Sequence, residues 1–281
     1  MEKIFLSGGT GFIGSHFINH AHRCGYELHC LRRPHSKPCI PLDKEPFWHD
    51  GFLDDDWCFV LNNCDYFVHF AASGVNPSES NYEDLIKTNI LDATKLTLSA
   101  VTSGIQKIII LGSYWEYGNT AKLFDYIPND ACLQPINRYA SSKAAFSLLA
   151  CQIAVEYKIQ LQYLRVGNCF GEGESVDRLW PSLRKAAARG DDYHLTLGEQ
   201  VRDFSSVETV VDKVLDALNF DSVQNGAPKI LNIGSGRPQT VRQFVEYWWN
   251  QWGAKGKLHF GSIPYRRNEI MRYVPKIEAP E

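Results

Sequence analysis

The sequence predicts an α/β protein built on a parallel sheet, and three observations carry that prediction. The chain opens with a short apolar run, Ile4 to Leu6, followed at once by Gly8, Gly9, Gly11 and Gly14. Further apolar runs recur at Tyr66–Ala72, Lys107–Leu111 and Gln160–Arg165, with helix-periodic stretches between them. A strand covered on both faces reads as such a run, and its alternation with helices marks βαβ units. Beyond Gly171 the alternation loosens, which predicts a smaller lobe after the sheet.

The first unit is Lys3–Gly14, KIFLSGGTGFIG. It reads as strand, tight turn and helix start. Gly9, Gly11 and Gly14 satisfy G-x-G-x-x-G, and Gly8, Gly11 and Gly14 satisfy G-x-x-G-x-x-G. Glycines let a phosphate approach main-chain N–H groups, and the helix start adds orphan donors and a positive dipole end. Between a strand and a helix, this is the dinucleotide fingerprint. Gly8, Thr10, Gly11, Phe12, Ile13 and Gly14 are the expected cofactor contacts.

Glu27–Leu31 is the second strand, and it ends at Arg32-Arg33-Pro34. An NAD site places an acid here for the ribose 2′-OH. Two arginines suit a 2′-phosphate instead. The expected cofactor is therefore NADP(H), with NAD(H) as the alternative.

A proline-rich loop, His35–Pro46, leads to a third strand at Trp48–Leu53. Tyr66–Ala72 is the next buried strand and ends in the small residues Ala71, Ala72, Ser73 and Gly74, where a ligand can lie close. Ser80–Thr102 has helical periodicity, Lys107–Leu111 is a strand running into Gly112-Ser113, and Asn137–Tyr157 is a long helix before the strand Gln160–Arg165. Later come a helix at Val176–Arg189, an extended piece at His194–Leu197, a helix at Val207–Leu218, a strand at Lys229–Ile233 and an aromatic helix at Val241–Trp252. The aromatics of that last helix read as core packing. The expected division is a Rossmann-type, doubly wound dinucleotide domain over 1–166 and a smaller α/β substrate lobe over 167–281, with 207–233 returning to the first.

At 281 residues the chain can bury a full core, and its net charge of −3 implies no general affinity for nucleic acid or membranes. No apolar run reaches membrane-spanning length, and the first strand leads straight into the glycines rather than into a signal-peptide pattern. The eight cysteines contain no C-x-x-C pair and read as free thiols in a reducing cytoplasm. No metal site is expected.

Tyr139 and Lys143 stand four residues apart at the start of the long helix and share a face. A free tyrosine, with a pKa of about 10, is a poor acid–base group at neutral pH; a nearby lysine cation lowers that value. Ser113, at the end of the preceding strand, can orient a reacting oxygen. Together these groups can move a proton at an alcohol or ketone while hydride moves elsewhere.

The motifs resemble an extended short-chain dehydrogenase/reductase of the nucleotide-sugar epimerase/dehydratase/reductase group. The similar segments are Gly8–Gly14, His69–Ala72, Gly112-Ser113 through Tyr117-Gly118, Tyr139–Lys143, Leu164–Gly171 and Gly198–Val207, in the family's order. The resemblance implies a catalytic triad of Ser113, Tyr139 and Lys143, with Tyr139 as acid/base and Lys143 also on the nicotinamide ribose. It places Phe70, Ala71, Ala72 and Asn89 on the cofactor side. Ser73, Ser113, Tyr114 and Asn168 would face the substrate, and Arg202 and Arg266 would clamp its diphosphate. The family often forms a homodimer through two long helices, here near Ser80–Thr102 and Asn137–Tyr157.

Several positions depart from the family pattern. Tyr114-Trp115 replaces the dehydratases' Asp-Glu pair, which argues against 4,6-dehydration. Phe52 stands where an adenine-contacting aspartate is usual, and Glu172 replaces a proline. The sequence ends at Glu281, short of the family's usual terminal helix. GEQVRDF and RRNEIM are most similar to the CDP-abequose and CDP-paratose synthase branch. The implied reaction is NADPH-dependent reduction of the C4 keto group of a nucleotide-linked 4-keto-6-deoxy sugar. The alternative is a 4-epimerase with tightly held NAD; more remote is a non-catalytic NADP-sensing regulator, against which the intact triad argues.

Overall fold

The structure, a computed structural model, describes residues 1–75 and 81–278. Its centre is a seven-stranded parallel sheet. In chain order the first elements are β1 (Lys3–Ser7), α1 (Phe12–Arg23), β2 (Glu27–Arg32), β3 (Phe47–Asp50), α2 (Cys58–Leu61) and β4 (Tyr66–His69). Next are α3 (Tyr82–Ile86), α4 (Ala93–Thr102), β5 (Lys107–Ser113), α5 (Arg138–Tyr157), β6 (Gln160–Val166) and β7 (Asn168–Phe170). Then come α6 (Leu179–Arg189), β8 (Tyr193–Leu195), β9 (Val201–Ser206), α7 (Val207–Asp216) and β10 (Lys229–Ile233). The chain closes with β11 (Pro238–Thr240), α8 (Val241–Gln251), β12 (Leu258–Phe260) and β13 (Arg272–Tyr273).

The sheet order is β10-β6-β5-β4-β1-β2-β3. The central strands are largely apolar because both faces are covered: all of β4 is buried, as is β5 after its first residue. One face packs Phe17, Ile18 and Ala21 of α1 and Val207, Val210, Val211 and Val214 of α7. The other packs Ala93, Leu96 and Ala100 of α4 and Phe146, Ala150 and Ile153 of α5. Each large apolar side chain so buried contributes about 1.5–3 kcal/mol. The chain runs outward from β1 through β2 to β3, then crosses back to β4. The crevice between the C-terminal ends of β1 and β4 is therefore the topological switch point, where such sheets bind ligands.

The smaller lobe is built on β9, which pairs parallel with β7 and β13 and antiparallel with β11; β8 and β12 form a separate parallel pair. Leu183 of α6, Val245 and Trp249 of α8, and Leu195 make its core.

Most expected elements are present with shifted ends. The third strand stops at Asp50, because Gly51–Phe52 turn away; the strand expected to reach Ala72 stops at His69. The helix expected over Ser80–Thr102 begins at Tyr82, capped by Asn81, and a π turn at Lys87–Asp92 interrupts it; Ser80 lies outside the described residues. The helix expected from Val176 begins at Leu179, because Arg178 is extended.

Candidate active site

The glycine turn joins β1 to α1 at the switch point. Gly8 has φ of 82°, and a side chain there would strike the backbone of Phe70–Ala71. A Cβ on Gly14 would overlap the Gly8 carbonyl oxygen, so helix and turn pack too closely for any other residue. Gly11 is the N-cap of α1 and supplies no side-chain cap. The first-turn N–H groups thus lack side-chain acceptors, as a pyrophosphate cradle requires. Phe70 continues β4, its N–H donating to the Ser7 carbonyl at 3.0 Å, and with Ala71 and Ala72 it forms the other wall of the crevice. Thr10 Oγ1 accepts from Ser36 Oγ at 2.8 Å, which fastens the loop after β2 over the turn. Phe12 and Ile13 pack partly buried against the core beneath. These residues fit a dinucleotide.

The two arginines after β2 have different environments. Arg32 Nε donates to Asp50 Oδ1 at 2.6 Å, and its guanidinium lies 4.9 Å from the Trp48 ring centre. The register of β2 and β3 sets Arg32 beside Asp50. Arg33 is exposed and lines a recess of about 410 Å³ with Pro34, His35, Ser36 and Phe52. No carboxylate is among those lining residues.

The expected triad gathers where β5 meets α5. Ser113 ends β5 and caps a 3₁₀ turn, Tyr114–Tyr117: its Oγ accepts from the Trp115 N–H at 3.3 Å, and its own N–H donates to Glu116 Oε1 at 2.7 Å. Tyr273 clasps the same turn from the far end of the chain, donating to the Tyr114 carbonyl at 2.5 Å and accepting from the Gly118 N–H at 2.8 Å. Asn137 caps α5 through the Ala140 N–H at 2.8 Å, which places Tyr139 in the first turn and Lys143 one turn later. Lys143 is buried, and its Nζ donates to the Leu111 carbonyl at 2.7 Å.

Burial lowers the Lys143 pKa to about 8, with the Glu116 carboxylate opposing the fall. Burial also raises the Tyr139 pKa, and Glu116 raises it further; the cation that opposes the rise is Arg178. This corrects the sequence-based expectation that Lys143 lowers the tyrosine. The lysine ammonium is drawn to a backbone carbonyl, and desolvation dominates at the phenol.

Asn89 sits within the π turn and is buried. Its Oδ1 accepts from the Ser73 N–H at 2.7 Å, and its Nδ2 donates to the Ser73 carbonyl at 3.0 Å and to Ser142 Oγ at 2.9 Å. It therefore braces the loop after β4 against α5, rather than presenting its amide to a cofactor. Such π turns recur at functional sites.

Beside the triad a cavity of about 440 Å³ opens between the sheet and the smaller lobe. Asn168, Arg178, Arg202, Arg266, Glu174 and Trp115 line it. Arg202 is fixed: its guanidinium donates to the Val201 and Met271 carbonyls at 2.8 and 3.2 Å and to Glu269 Oε1 at 2.7 Å. Arg266, exposed, also lines the cavity. Asn168 Nδ2 is 3.5 Å from the Asp203 carbonyl.

Tyr114, expected on the substrate, is instead buried against Trp115 and Tyr273, and Trp115 is the neighbour that reaches the cavity. The reason is the 3₁₀ turn, which sends consecutive side chains to different sides. Ser113, Tyr139 and Lys143 are not among the residues that line this cavity.

Sequence reasoning missed Arg178, Glu174 and Glu116. Glu174 holds one buried oxygen, Oε2, with no hydrogen-bond partner, and its Oε1 is 3.5 Å from Arg178 Nε. Burial pushes its pKa from 4.5 up to about 7. Glu116 had a legible signal, since Ser113-x-x-Glu116 has capping-box spacing. Arg178 and Glu174 carry no such spacing.

A family model described as the NAD dependent epimerase/dehydratase family matches residues 4–234. CDP-abequose synthase of Salmonella muenchen is 24% identical over 272 residues, covering 96% of this chain and 87% of that protein. UDP-glucose 4-epimerase of Neisseria meningitidis serogroup C is 25% identical over 280 residues, covering 87% and 81%. The crystal structure of UDP-glucose 4-epimerase with UDP-glucose from Thermotoga maritima superposes with a TM-score of 0.83 at 24% identity, covering 98% of this chain and 90% of that one.

Proposed function

Starting from the NAD dependent epimerase/dehydratase family, to which the chain belongs, we propose that it reduces the C4 keto group of a nucleotide-linked 4-keto-6-deoxy sugar with NADPH. The observation that carries this reading is the recess after β2. Arg33, Ser36 and His35 line it without a carboxylate, which suits a 2′-phosphate and disfavours a bare ribose diol. Phe52 gives the same recess an apolar face for a base. The likeness to CDP-abequose synthase supports the substrate class.

Bound NADPH supplies the hydride. Tyr139 supplies the proton, which passes from its hydroxyl to the C4 oxygen. Burial keeps the phenol protonated at neutral pH, as an acid catalyst requires. The phenolate left behind has Arg178 to stabilise it, and the Lys143 ammonium stands one turn along the same helix. Ser113, fixed by its capping turn, orients the carbonyl oxygen. Arg202 and Arg266, which line the cavity with Asn168, hold the diphosphate.

One observation favours the 4-epimerase reading. Asp50 neutralises Arg32, leaving Arg33 as the free guanidinium at the 2′ position, and UDP-glucose 4-epimerases are among the similar proteins. The two readings separate by mass spectrometry of products from NADPH and a panel of CDP-, UDP- and dTDP-linked 4-keto-6-deoxy sugars. A gain of two mass units with consumption of NADPH is the expected result. With NAD and a UDP-hexose carrying a C4 hydroxyl in place of the keto sugars, a C4 isomer separated by chromatography with no net consumption of cofactor assigns the epimerase instead.

A homodimer completes the proposal. Tyr82, Ile86, Leu91, Leu148 and Leu149 are exposed apolar side chains on the α3–α4 and α5 helices, a surface suited to a second copy. The described residues hold no helix long and apolar enough to cross a membrane, and the cysteines are free, which supports a cytoplasmic setting.

A further inference from the structure

Beneath the triad lies a buried ion pair. Glu116 is fully buried and Arg165, on β6, nearly so; Arg165 Nε donates to Glu116 Oε2 at 2.8 Å. Glu116 Oε1 accepts from the Ser113 N–H at 2.7 Å and from the Tyr163 hydroxyl at 2.9 Å. That hydroxyl is also 3.3 Å from the Lys143 carbonyl. The residue before Ser113 is glycine because Glu116 Oε1 and the Tyr163 ring fill the space a Cβ would need. Arg165 is satisfied on its other side by the Tyr117 hydroxyl at 3.1 Å and the Asn129 carbonyl at 3.0 Å.

A buried pair of this kind gives little net stability, because desolvating both charges offsets their attraction. Its position, however, joins two elements that must stay in register. One oxygen of Glu116 holds the end of β5 at Ser113 and, through Tyr163, the turn of α5 that carries Lys143. We infer that Glu116 is the positioning residue of the triad: its ionised carboxylate locks Ser113 to the Lys143 turn and sets a fixed negative charge under the Tyr139–Lys143 face. This rests on the catalytic reading of Ser113, Tyr139 and Lys143 above.

The groups facing that centre are few. Glu116 and Tyr117 come from the 3₁₀ turn, Arg165 and Tyr163 from β6, and Tyr273 from β13. His69, at the end of β4, faces Lys143 and is held neutral by burial; Arg178, paired with Glu174, faces Tyr139 from the cavity side. Of these, Glu116 is the one carboxylate that acts on both Tyr139 and Lys143. It favours the protonated form of each, so both groups stay protonated to higher pH than they would without it.

The test uses the full-length protein with NADPH and CDP-4-keto-6-deoxyglucose, over a range of pH. The double variant Glu116→Gln/Arg165→Met removes both charges and leaves neither partner unpaired. It should move the alkaline limb of kcat/KM down by a fraction of a pH unit, because loss of the Arg165 charge offsets part of the roughly one unit expected for one charge roughly 10 Å away at an effective dielectric constant of about 20. Glu116→Asp keeps the charge but withdraws the oxygen from Ser113. Its alkaline limb should stay in place while kcat falls about tenfold and KM holds. An unmoved limb in the double variant, or wild-type kcat in both variants, overturns the inference. Titration of NADPH fluorescence against pH reads the Lys143 limb without any sugar. If the wild-type protein leaves the keto sugar untouched, that titration still tests Glu116, and only the substrate assignment fails.

Discussion

Glu174→Gln should stabilise the protein at alkaline pH and leave it unchanged at acid pH. Glu174 has a side chain 9% exposed, a partnerless Oε2, and one cation, Arg178, at 3.5 Å. Its pKa rises on folding from 4.5 to about 7. A carboxyl raised in this way favours the folded state only while protonated. Its contribution is intact below the unfolded value and is lost as pH climbs through the folded one. The gap of about 2.5 units corresponds to about 3 kcal/mol at pH 8, at about 1.36 kcal/mol per unit. Glutamine imitates the neutral acid, so the variant and wild type should match near pH 4.5. They should diverge between there and pH 7, with the variant the more stable. Urea denaturation at intervals across pH 4.5–8.5 measures the difference directly. A stability difference that is flat with pH, or a variant that is weaker at pH 8, refutes the view that Arg178 only partly compensates the burial of this carboxylate.

Other expectations concern the proposed activity. Tyr139→Phe should remove most of the turnover while leaving NADPH affinity close to wild type, measured by steady-state kinetics and fluorescence titration. Arg33→Ala should lower the NADPH-over-NADH ratio of kcat/KM about 10- to 100-fold, the value of a charged hydrogen bond, while Arg32→Ala should change it less because Asp50 already engages that side chain. Equal effects from the two would show that the ion pair opens on binding. Arg202→Ala should weaken nucleotide-sugar binding by about 1.5–3 kcal/mol in calorimetry, and unchanged affinity would remove it from the diphosphate clamp.

The sheet was legible in the sequence because its cause is local. A run such as KIIIL needs cover on both faces, and Gly14 stands where the Gly8 carbonyl, six residues earlier, forbids a side chain. Tyr139 and Lys143 were legible through their spacing, but the direction of the tyrosine's titration was not. That direction depends on burial and on Glu116, which approaches from another element. The division of labour between Arg32 and Arg33 was hidden for the same reason, since Asp50 meets Arg32 only through the pairing of β2 with β3. Glu174 lies before the segment read as helix and Arg178 within it, and neither position carries a motif that marks it for a site. The π turn that seats Asn89 has no simple signature either, because one widened turn barely alters a helical repeat.

The Tyr273 clasp bears on when the protein becomes competent during its synthesis. The turn carrying Ser113 is fastened by a hydroxyl made 159 residues after Tyr114. The neighbouring Ile127 is likewise held by Val274 and Lys276 through backbone bonds of 2.9 and 2.8 Å. The strands β1, β4 and β5 and the helix α5 are all made long before this fastening exists. Residues 270–276 must still leave the ribosome before the Ser113 turn is secured. The Ser113 turn is therefore secured late in synthesis, after the strands and helices it joins have been made.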